Sequence, residues 1–141
     1  EEYLSLFPSN NLLFNKKNLI ELLQLKSNEL IDTFSTGMKK KLALIAIICQ
    51  DKPVYILDEP FNGLDLESNK ILEMLIQKLA ENGKTIFLSS HILSPLTSLC
   101  AEIHLIQNGR FEKRFQPEQF NEIENVLFSN LTEKVNSILK K

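Results

Sequence analysis

Two adjacent carboxylates, Asp58 and Glu59, directly follow the apolar run of residues 54–57. Such a run predicts a short buried strand, which would carry both carboxylates to its exposed end. At that end Asp58 could hold a metal ion, and Glu59 could act on a water molecule as a general base. This chemistry suits the transfer of a phosphoryl group to water, which needs Mg²⁺ and an oriented nucleophile. Adjacent acids are also common as plain strand-end residues, so the neighbouring motifs decide.

A second group with chemical potential is Ser35-Thr36-Gly37, at the start of a helical pattern. A helix N-terminus presents backbone N–H groups and a positive dipole end, and both favour a phosphate. The Ser35 hydroxyl and the missing side chain at Gly37 would let an anion approach closely. The alternative is that Ser35 is only an N-cap, which is the commoner use of such a sequence. We interpret the lysines at positions 39–41 as a solvated first turn without a catalytic role.

His91 and the loop from Asn62 to Asp65 complete the candidate groups. His91 follows a second short apolar run, from where its imidazole could contact a γ-phosphate, although a lone histidine is more often structural. Gly63 allows a sharp turn, and Asp65 can cap the following helix. The capping role and a functional role of this loop are compatible.

Hydrophobic periodicity predicts the elements that position these groups. In chain order they are a helix over residues 1–7, a loop over residues 8–15, a helix capped by Asn18, a helix from Ser35 to about Gln50, a strand over residues 54–57, a helix from Leu66 to Asn82-Gly83 and a strand over residues 85–88. The two strands and the intervening helix form a right-handed crossover unit, so the strands should be parallel and covered by helices on both faces. Farther on we predict a helix over residues 92–100, a hairpin at Asn108-Gly109 and an apolar helical stripe after Pro117.

Composition narrows the class of protein. The 141 residues are 43% hydrophobic and 24% charged, as expected for a soluble globular protein. Sixteen basic and eighteen acidic residues give a net charge of −2, so we expect no broad basic surface and no nucleic-acid partner. The longest nearly apolar run, residues 42–49, is too short to cross a bilayer. Cys49 and Cys100 are predicted to be buried, reduced thiols.

The order and spacing of these motifs resemble the nucleotide-binding domain of ATP-binding cassette transporters. The family signature Leu-Ser-Gly-Gly-Gln corresponds to residues 34–38, where Ser35 and Gly37 match while Thr36 and Met38 depart. A Ser-x-Gly-Met version followed by basic residues resembles the exporter branch, which moves drugs, antibiotics or lipids. The sequence contains no Gly-x-x-x-x-Gly-Lys-Ser/Thr phosphate loop, so the chain is expected to be the later part of such a domain.

The resemblance implies an α/β fold class, namely a partial P-loop nucleoside-triphosphate-hydrolase fold. It would have a parallel sheet, flanking helices and a helical subdomain, and would lack the strand that feeds the phosphate loop. The implied division is a helical subdomain with the signature helix (1–50), part of the α/β catalytic core (51–116) and a C-terminal helical tail (117–141).

The resemblance also implies ATP and Mg²⁺ as cofactors and assigns the site residues. Asp58 would bind the metal, Glu59 would be the general base and His91 would sense the γ-phosphate. The remaining residues would contact the nucleotide held by an opposite domain, or the partner itself; they are Ser35, Thr36, Gly37, Asn62, Gly63 and Asp65.

The implied partners are a second nucleotide-binding domain, arranged head to tail, and a transmembrane permease at the inner face of the membrane. The parent protein would then be a cytoplasmic ATPase that powers export, whereas the chain alone would be inactive without a phosphate loop. One alternative is a soluble cassette ATPase that acts on ribosomes or DNA, which the acidic balance mildly disfavours. The other is a non-catalytic interaction module, which intact Asp58, Glu59 and His91 disfavour for the parent.

Overall fold

The chain divides into two compact units, residues 1–91 and 92–141. The structure, a computed structural model, describes residues 13–26 and 29–139, apart from the side chains of residues 130 and 132–134. The helix predicted over residues 1–7 and most of the loop predicted over residues 8–15 lie outside the described residues. The three-part division at residues 50 and 116 stays a prediction.

Helix α1 (Lys16–Leu22) is capped by Asn15, whose side chain accepts hydrogen bonds from the N–H groups of Lys17 and Asn18 at 2.8 and 3.4 Å. The cap predicted at Asn18 is therefore wrong, because Asn18 lies inside the first turn. That turn begins with two lysines, so the apolar periodicity becomes visible only after the helix has started.

Helix α2 (Thr36–Ile48) begins at Ser35, as predicted. Ser35 has an extended backbone, and its hydroxyl accepts a hydrogen bond from the Met38 N–H at 3.2 Å. Most of the helix beyond its first turns is buried, through Leu42, Leu44, Ile45, Ala46 and Ile48. A short 3₁₀ turn (Ile31–Thr33) leads into it.

The crossover unit of residues 54–89 is confirmed. Strand β1 (Val54–Asp58) pairs in parallel with β2 (Thr85–Ser89), and helix α3 (Leu66–Glu81) connects them. Helix α3 buries one apolar face, which includes Leu72, Leu75, Ile76 and Leu79, and it ends before Gly83 at φ +78°. The register opposes Val54 to Thr85 and Asp58 to Ser89, so the carboxyl ends of both strands meet at one edge.

Only one face of this two-stranded sheet is covered. Tyr55 and Leu57 are buried, whereas Ile56 and Phe87 on the opposite face are 79% and 61% exposed. The expectation of helices on both faces is therefore wrong for the described residues. The continuous apolar run is a property of the strand's own sequence, whereas burial of the second face needs a further layer.

The second unit contains α4 (Leu93–Leu99), β3 (Ile103–Gln107), β4 (Arg110–Phe115), a 3₁₀ turn (Pro117–Glu122) and α5 (Ile123–Leu139). Strands β3 and β4 form the predicted antiparallel hairpin, with Ile103 opposite Phe115. Along α5, Ile123 is buried but Leu131 and Ile138 are exposed. Cys49 is buried as predicted, while Cys100 is half-buried and burial raises the pKa of its thiol. In the part of the chain that the structure describes, no helix has the length and apolar character that crossing a membrane requires.

Candidate functional site

Asp58 and Ser89 lie side by side at the carboxyl ends of β1 and β2. The Ser89 hydroxyl donates a short hydrogen bond to the Asp58 carboxylate. The Ser89 carbonyl and hydroxyl oxygens both accept from the Glu59 N–H, each at 3.1 Å. Ser89 thus fixes the Asp58 side chain and the Glu59 backbone together. The sequence alone assigns no role to Ser89. Its role becomes visible from the parallel register, which places Ser89 opposite Asp58.

Glu59 and His91 form the second contact at this edge. Nδ1 of His91 lies 2.9 Å from Oε2 of Glu59, although 32 residues separate them. The His91 side chain remains 66% exposed and the Glu59 side chain 34% exposed. The structure therefore brings together Asp58, Glu59 and His91, the predicted metal, base and switch residues, at a solvent-accessible edge.

The backbone of Glu59 is left-handed, with φ +44°. A residue with a Cβ in this region costs about 1–2 kcal/mol, so the surrounding contacts have to hold it there. Its N–H is bound by Ser89, and its carbonyl accepts from the Asn62 N–H at 3.2 Å. The backbone conformation of this residue is thus set by its neighbours rather than by its own preference.

Lys40 and Lys41, in the second turn of α2, bind the loop of residues 59–65. Lys40 donates from its ammonium to the Glu59 carbonyl and, at 2.7 Å, to the Asn62 carbonyl. Lys41 donates to Oδ2 of Asp65 at 2.9 Å, and its side chain is only 13% exposed. The interpretation of a solvated turn is correct for exposed Lys39 and wrong for Lys40 and Lys41. Successive helical positions point about 100° apart, so neighbouring lysines meet different surroundings.

Asp65 caps α3, as predicted. Its carboxylate accepts from the Ser68 N–H at 2.8 Å and from the Ser68 hydroxyl at 2.9 Å. The hydrogen bond from Lys41, followed by the two from Ser68, holds the pKa of the Asp65 carboxyl well below its usual range. Gly63, at φ +76°, makes the sharp turn that precedes the cap.

The N-terminus of α2 packs directly against this loop. A Cβ built on Gly37 would lie 3.0 Å from the Gly63 carbonyl oxygen, which is tighter than nearly all real contacts of this type. Ser35 and Thr36 are exposed beside this contact, so the helix end remains accessible. The close packing against Gly63 is therefore one reason for a glycine at position 37. The predicted approach of an anion would be a second reason.

The carboxylate of Asp58 and the hydroxyl of Ser89 at the strand ends are oxygen ligands of the kind that suit a magnesium ion bound together with phosphate. Within residues 13–26 and 29–139, apart from the undescribed side chains, no group of three His, Cys, Asp or Glu side chains could hold a metal. Mg²⁺ is commonly held by one or two carboxylates together with substrate phosphates and water. Asp58, with Ser89 beside it, fits that pattern rather than a metal cage built by the protein alone.

Comparisons with known proteins agree with this architecture. A family model described as "AAA domain, putative AbiEii toxin, Type IV TA system" matches residues 9–96. The chain is 38% identical over 122 residues to the bacitracin transport ATP-binding protein BcrA of Bacillus licheniformis, covering 77% of this chain and 40% of BcrA. It is 31% identical over 110 residues to the ABC transporter ATP-binding protein NatA of Bacillus subtilis, covering 74% and 45% respectively.

A solved structure of an ATP-binding subunit of an ABC transporter has the same fold, with a TM-score of 0.68 at 26% sequence identity. The match covers 88% of this chain and 52% of that one. The chain thus spans about half or less of each of these three proteins. The expected partial P-loop fold class is confirmed.

Proposed function

The chain belongs to the AAA domain family of the matching model and to the ATP-binding cassette ATPases, and from this premise we propose that it is part of a subunit that hydrolyses ATP to power export across a membrane. The observation that carries the proposal is the Glu59–His91 contact of 2.9 Å, beside Asp58 at the tips of two parallel strands. Hydrolysis of a phosphoanhydride needs a bound metal ion and an oriented water molecule, and carboxylates with a histidine at one accessible edge suit both needs.

Glu59 is the general base that orients and deprotonates the attacking water. Its carboxylate is half-accessible, and Oε2 is paired with Nδ1 of His91. Because Nδ1 of His91 faces this carboxylate, Nε2 on the other side of the ring is the nitrogen that can contact a phosphate oxygen. The pair therefore places a phosphate-contacting side chain next to the base.

Asp58 would hold Mg²⁺, and the bound ion would neutralise the charge that develops on the phosphate oxygens. The Ser89 hydroxyl holds the Asp58 carboxylate in one orientation. A carboxylate held in this way binds the cation without first having to be ordered, which favours tight and reproducible placement.

Ser35, Thr36 and Gly37 bind the phosphates of a nucleotide held by a second nucleotide-binding domain, arranged head to tail. The support for this role is an exposed helix N-terminus, whose N–H groups and dipole favour an anion. Asn62, Gly63 and Asp65 belong to the loop between Glu59 and α3, which packs against this helix and runs along the partner. A transmembrane permease at the inner face of the membrane is the second partner, and BcrA and NatA, by their names, are transporter proteins.

The chain alone is expected to bind ATP weakly and not to hydrolyse it, because its sequence contains no phosphate loop. The test therefore uses the full-length protein that contains this chain. Glu59→Gln should keep the affinity for ATP but lower the hydrolysis rate at least about 100-fold, the usual contribution of a general base. Glu81→Gln, an exposed change at the far end of α3, is the matched control and should hydrolyse normally. Near-normal turnover of Glu59→Gln would refute the assignment.

A further inference from the structure

Lys40 lies one helical turn after Gly37, and its long side chain reaches the loop that follows β1. Its ammonium donates to the carbonyls of Glu59 and Asn62, which are 19 and 22 residues farther along the chain. The Asn62 N–H in turn donates to the Glu59 carbonyl at 3.2 Å. Lys40 therefore closes a small ring of hydrogen bonds across residues 59–62, where the chain turns back toward α3.

The peptide groups on both sides of Glu59 are held in different ways. The N–H is fixed from β2 by the two oxygens of Ser89. The carbonyl is fixed from α2 by Lys40, and from within the loop by Asn62. Because φ of Glu59 is +44°, both sides have to be held if the residue is not to relax toward an ordinary conformation. An ammonium suits the carbonyl side, since it offers three donors and makes charge-assisted hydrogen bonds.

We propose that Lys40 is a positioning residue for hydrolysis: by binding the Glu59 and Asn62 carbonyls, it holds the Glu59 backbone in the left-handed conformation that places the carboxylate against His91. This proposal rests on the proposed function of Glu59 as the general base. It also gives α2 a second role, because the helix that carries Ser35 and Gly37 then supports the base of its own subunit.

The surroundings of the adjacent lysines provide matched controls. Lys39 is exposed, and Lys41 binds Asp65 rather than the Glu59 backbone. Replacing Lys39 therefore removes the same charge from the same helical turn without touching the ring of residues 59–62. A general effect of positive charge near the site predicts equal losses at positions 39 and 40, whereas positioning predicts a loss at position 40 alone.

The first measurement is steady-state hydrolysis by the full-length protein. Lys40→Met keeps the aliphatic stem and removes the ammonium, and it should lower kcat about 10- to 100-fold while the KM for ATP changes less than about twofold. Lys40→Arg retains donors for both carbonyls and should restore most of the lost rate. Lys39→Met should behave like the wild type. An unchanged kcat in Lys40→Met, or an equal loss in Lys39→Met, overturns the proposal.

The second measurement is amide hydrogen exchange of the segment 59–62 in the same proteins without nucleotide, read by mass spectrometry. Lys40→Met should accelerate exchange there about tenfold or more, and Lys39→Met should not. Adding Glu59→Gly to Lys40→Met should restore protection, because glycine adopts the left-handed conformation without support. Unchanged exchange in Lys40→Met overturns the proposal.

The two measurements separate this proposal from the proposed function. If the wild-type protein hydrolyses no ATP, the role of Glu59 as a base fails. The exchange experiment still decides whether Lys40 holds the backbone of residue 59, because it needs no nucleotide and no turnover.

Discussion

Among the described residues with left-handed backbone conformations, the hairpin turn and the loop after β1 reach them by different means. In the hairpin between β3 and β4, Asn108 and Gly109 have φ values of +50° and +72°. In the loop after β1, Glu59 has a φ of +44°. Asparagine and glycine are the residues that tolerate this conformation best, whereas glutamate has no such preference.

The turn at Glu59 is supported by contacts from elsewhere in the chain. Ser89 holds its N–H, Lys40 holds its carbonyl, and His91 contacts its carboxylate. The hairpin turn needs no comparable support, because its two central residues already favour a turn that matches the twist of the strands. Strain maintained by distant contacts is typical of functional sites, so the supported turn fits the role proposed for Glu59.

After Glu59→Gln, the largest effect is expected from Gly37→Asp, because residue 37 of α2 packs against the loop that follows Glu59. Any Cβ at position 37 meets the Gly63 carbonyl at 3.0 Å, and an aspartate also places a negative charge where the phosphate of the opposite subunit would bind. In the full-length protein, hydrolysis should fall at least about tenfold while ATP binding by the monomer is kept. Rates measured over a range of protein concentrations report whether the proposed head-to-tail dimer forms in this variant.

Gly37→Ala is the matched variant, since it adds the Cβ without the charge. It should show a smaller loss, because the loop has to shift by only a few tenths of an ångström. Unchanged cooperative hydrolysis in Gly37→Asp would mean that the helix end is only a structural N-cap.

The elements that sequence predicts correctly are those whose causes are local. The Asn108-Gly109 hairpin, the Ser35 and Asp65 caps and the end of α3 at Gly83 all follow from residue types within a few positions. The parallel crossover of residues 54–89 also follows, because the handedness and length of such units are strongly restricted. In the same way, the apolar run before Asp58 indicates which residues reach the edge of the sheet.

The features that the sequence does not predict arise from tertiary contacts between elements that are far apart in the chain. Whether Lys40 or Lys39 meets the loop depends on how α2 is rotated against it, and no local pattern encodes that rotation. The left-handed Glu59 is unexpected because its own preference opposes it, and Ser89 becomes informative only once the register of β1 and β2 is known. The roles of the candidate residues in binding and hydrolysis stay predictions, since they concern a nucleotide and a second domain.

Two substitutions, one in the hairpin turn and one in the loop after β1, should change the free energy of unfolding in different directions. Gly109→Ala should lower the free energy of unfolding by about 1 kcal/mol, because a Cβ is costly at φ +72°. A Cβ there meets nothing within 4 Å, so the loss measures backbone strain alone. Glu59→Gly should instead leave stability unchanged or raise it by up to about 1 kcal/mol, since it relieves the strain. Urea denaturation of all three proteins makes the comparison, and equal losses would show that Glu59 is unstrained.

The smallest expected effect concerns Asp65, at the far end of the same loop. A hydrogen bond from Lys41, and to a lesser extent those from Ser68, lower the pKa of its carboxyl. Because the pKa is lower in the folded state, the stabilisation is present above the unfolded pKa of about 3.9 and is lost as the pH falls below it. The effect should be small, because the Asp65 side chain is 58% exposed. Thermal unfolding of the wild type should therefore lose slightly more stability between about pH 5 and pH 3 than Asp65→Asn, which keeps a capping oxygen but cannot ionise. Asp32→Asn, a change at an exposed site outside the loop, is the control and should follow the wild type. Identical pH profiles for Asp65→Asn and the wild type would mean that the Lys41 contact does not persist in solution.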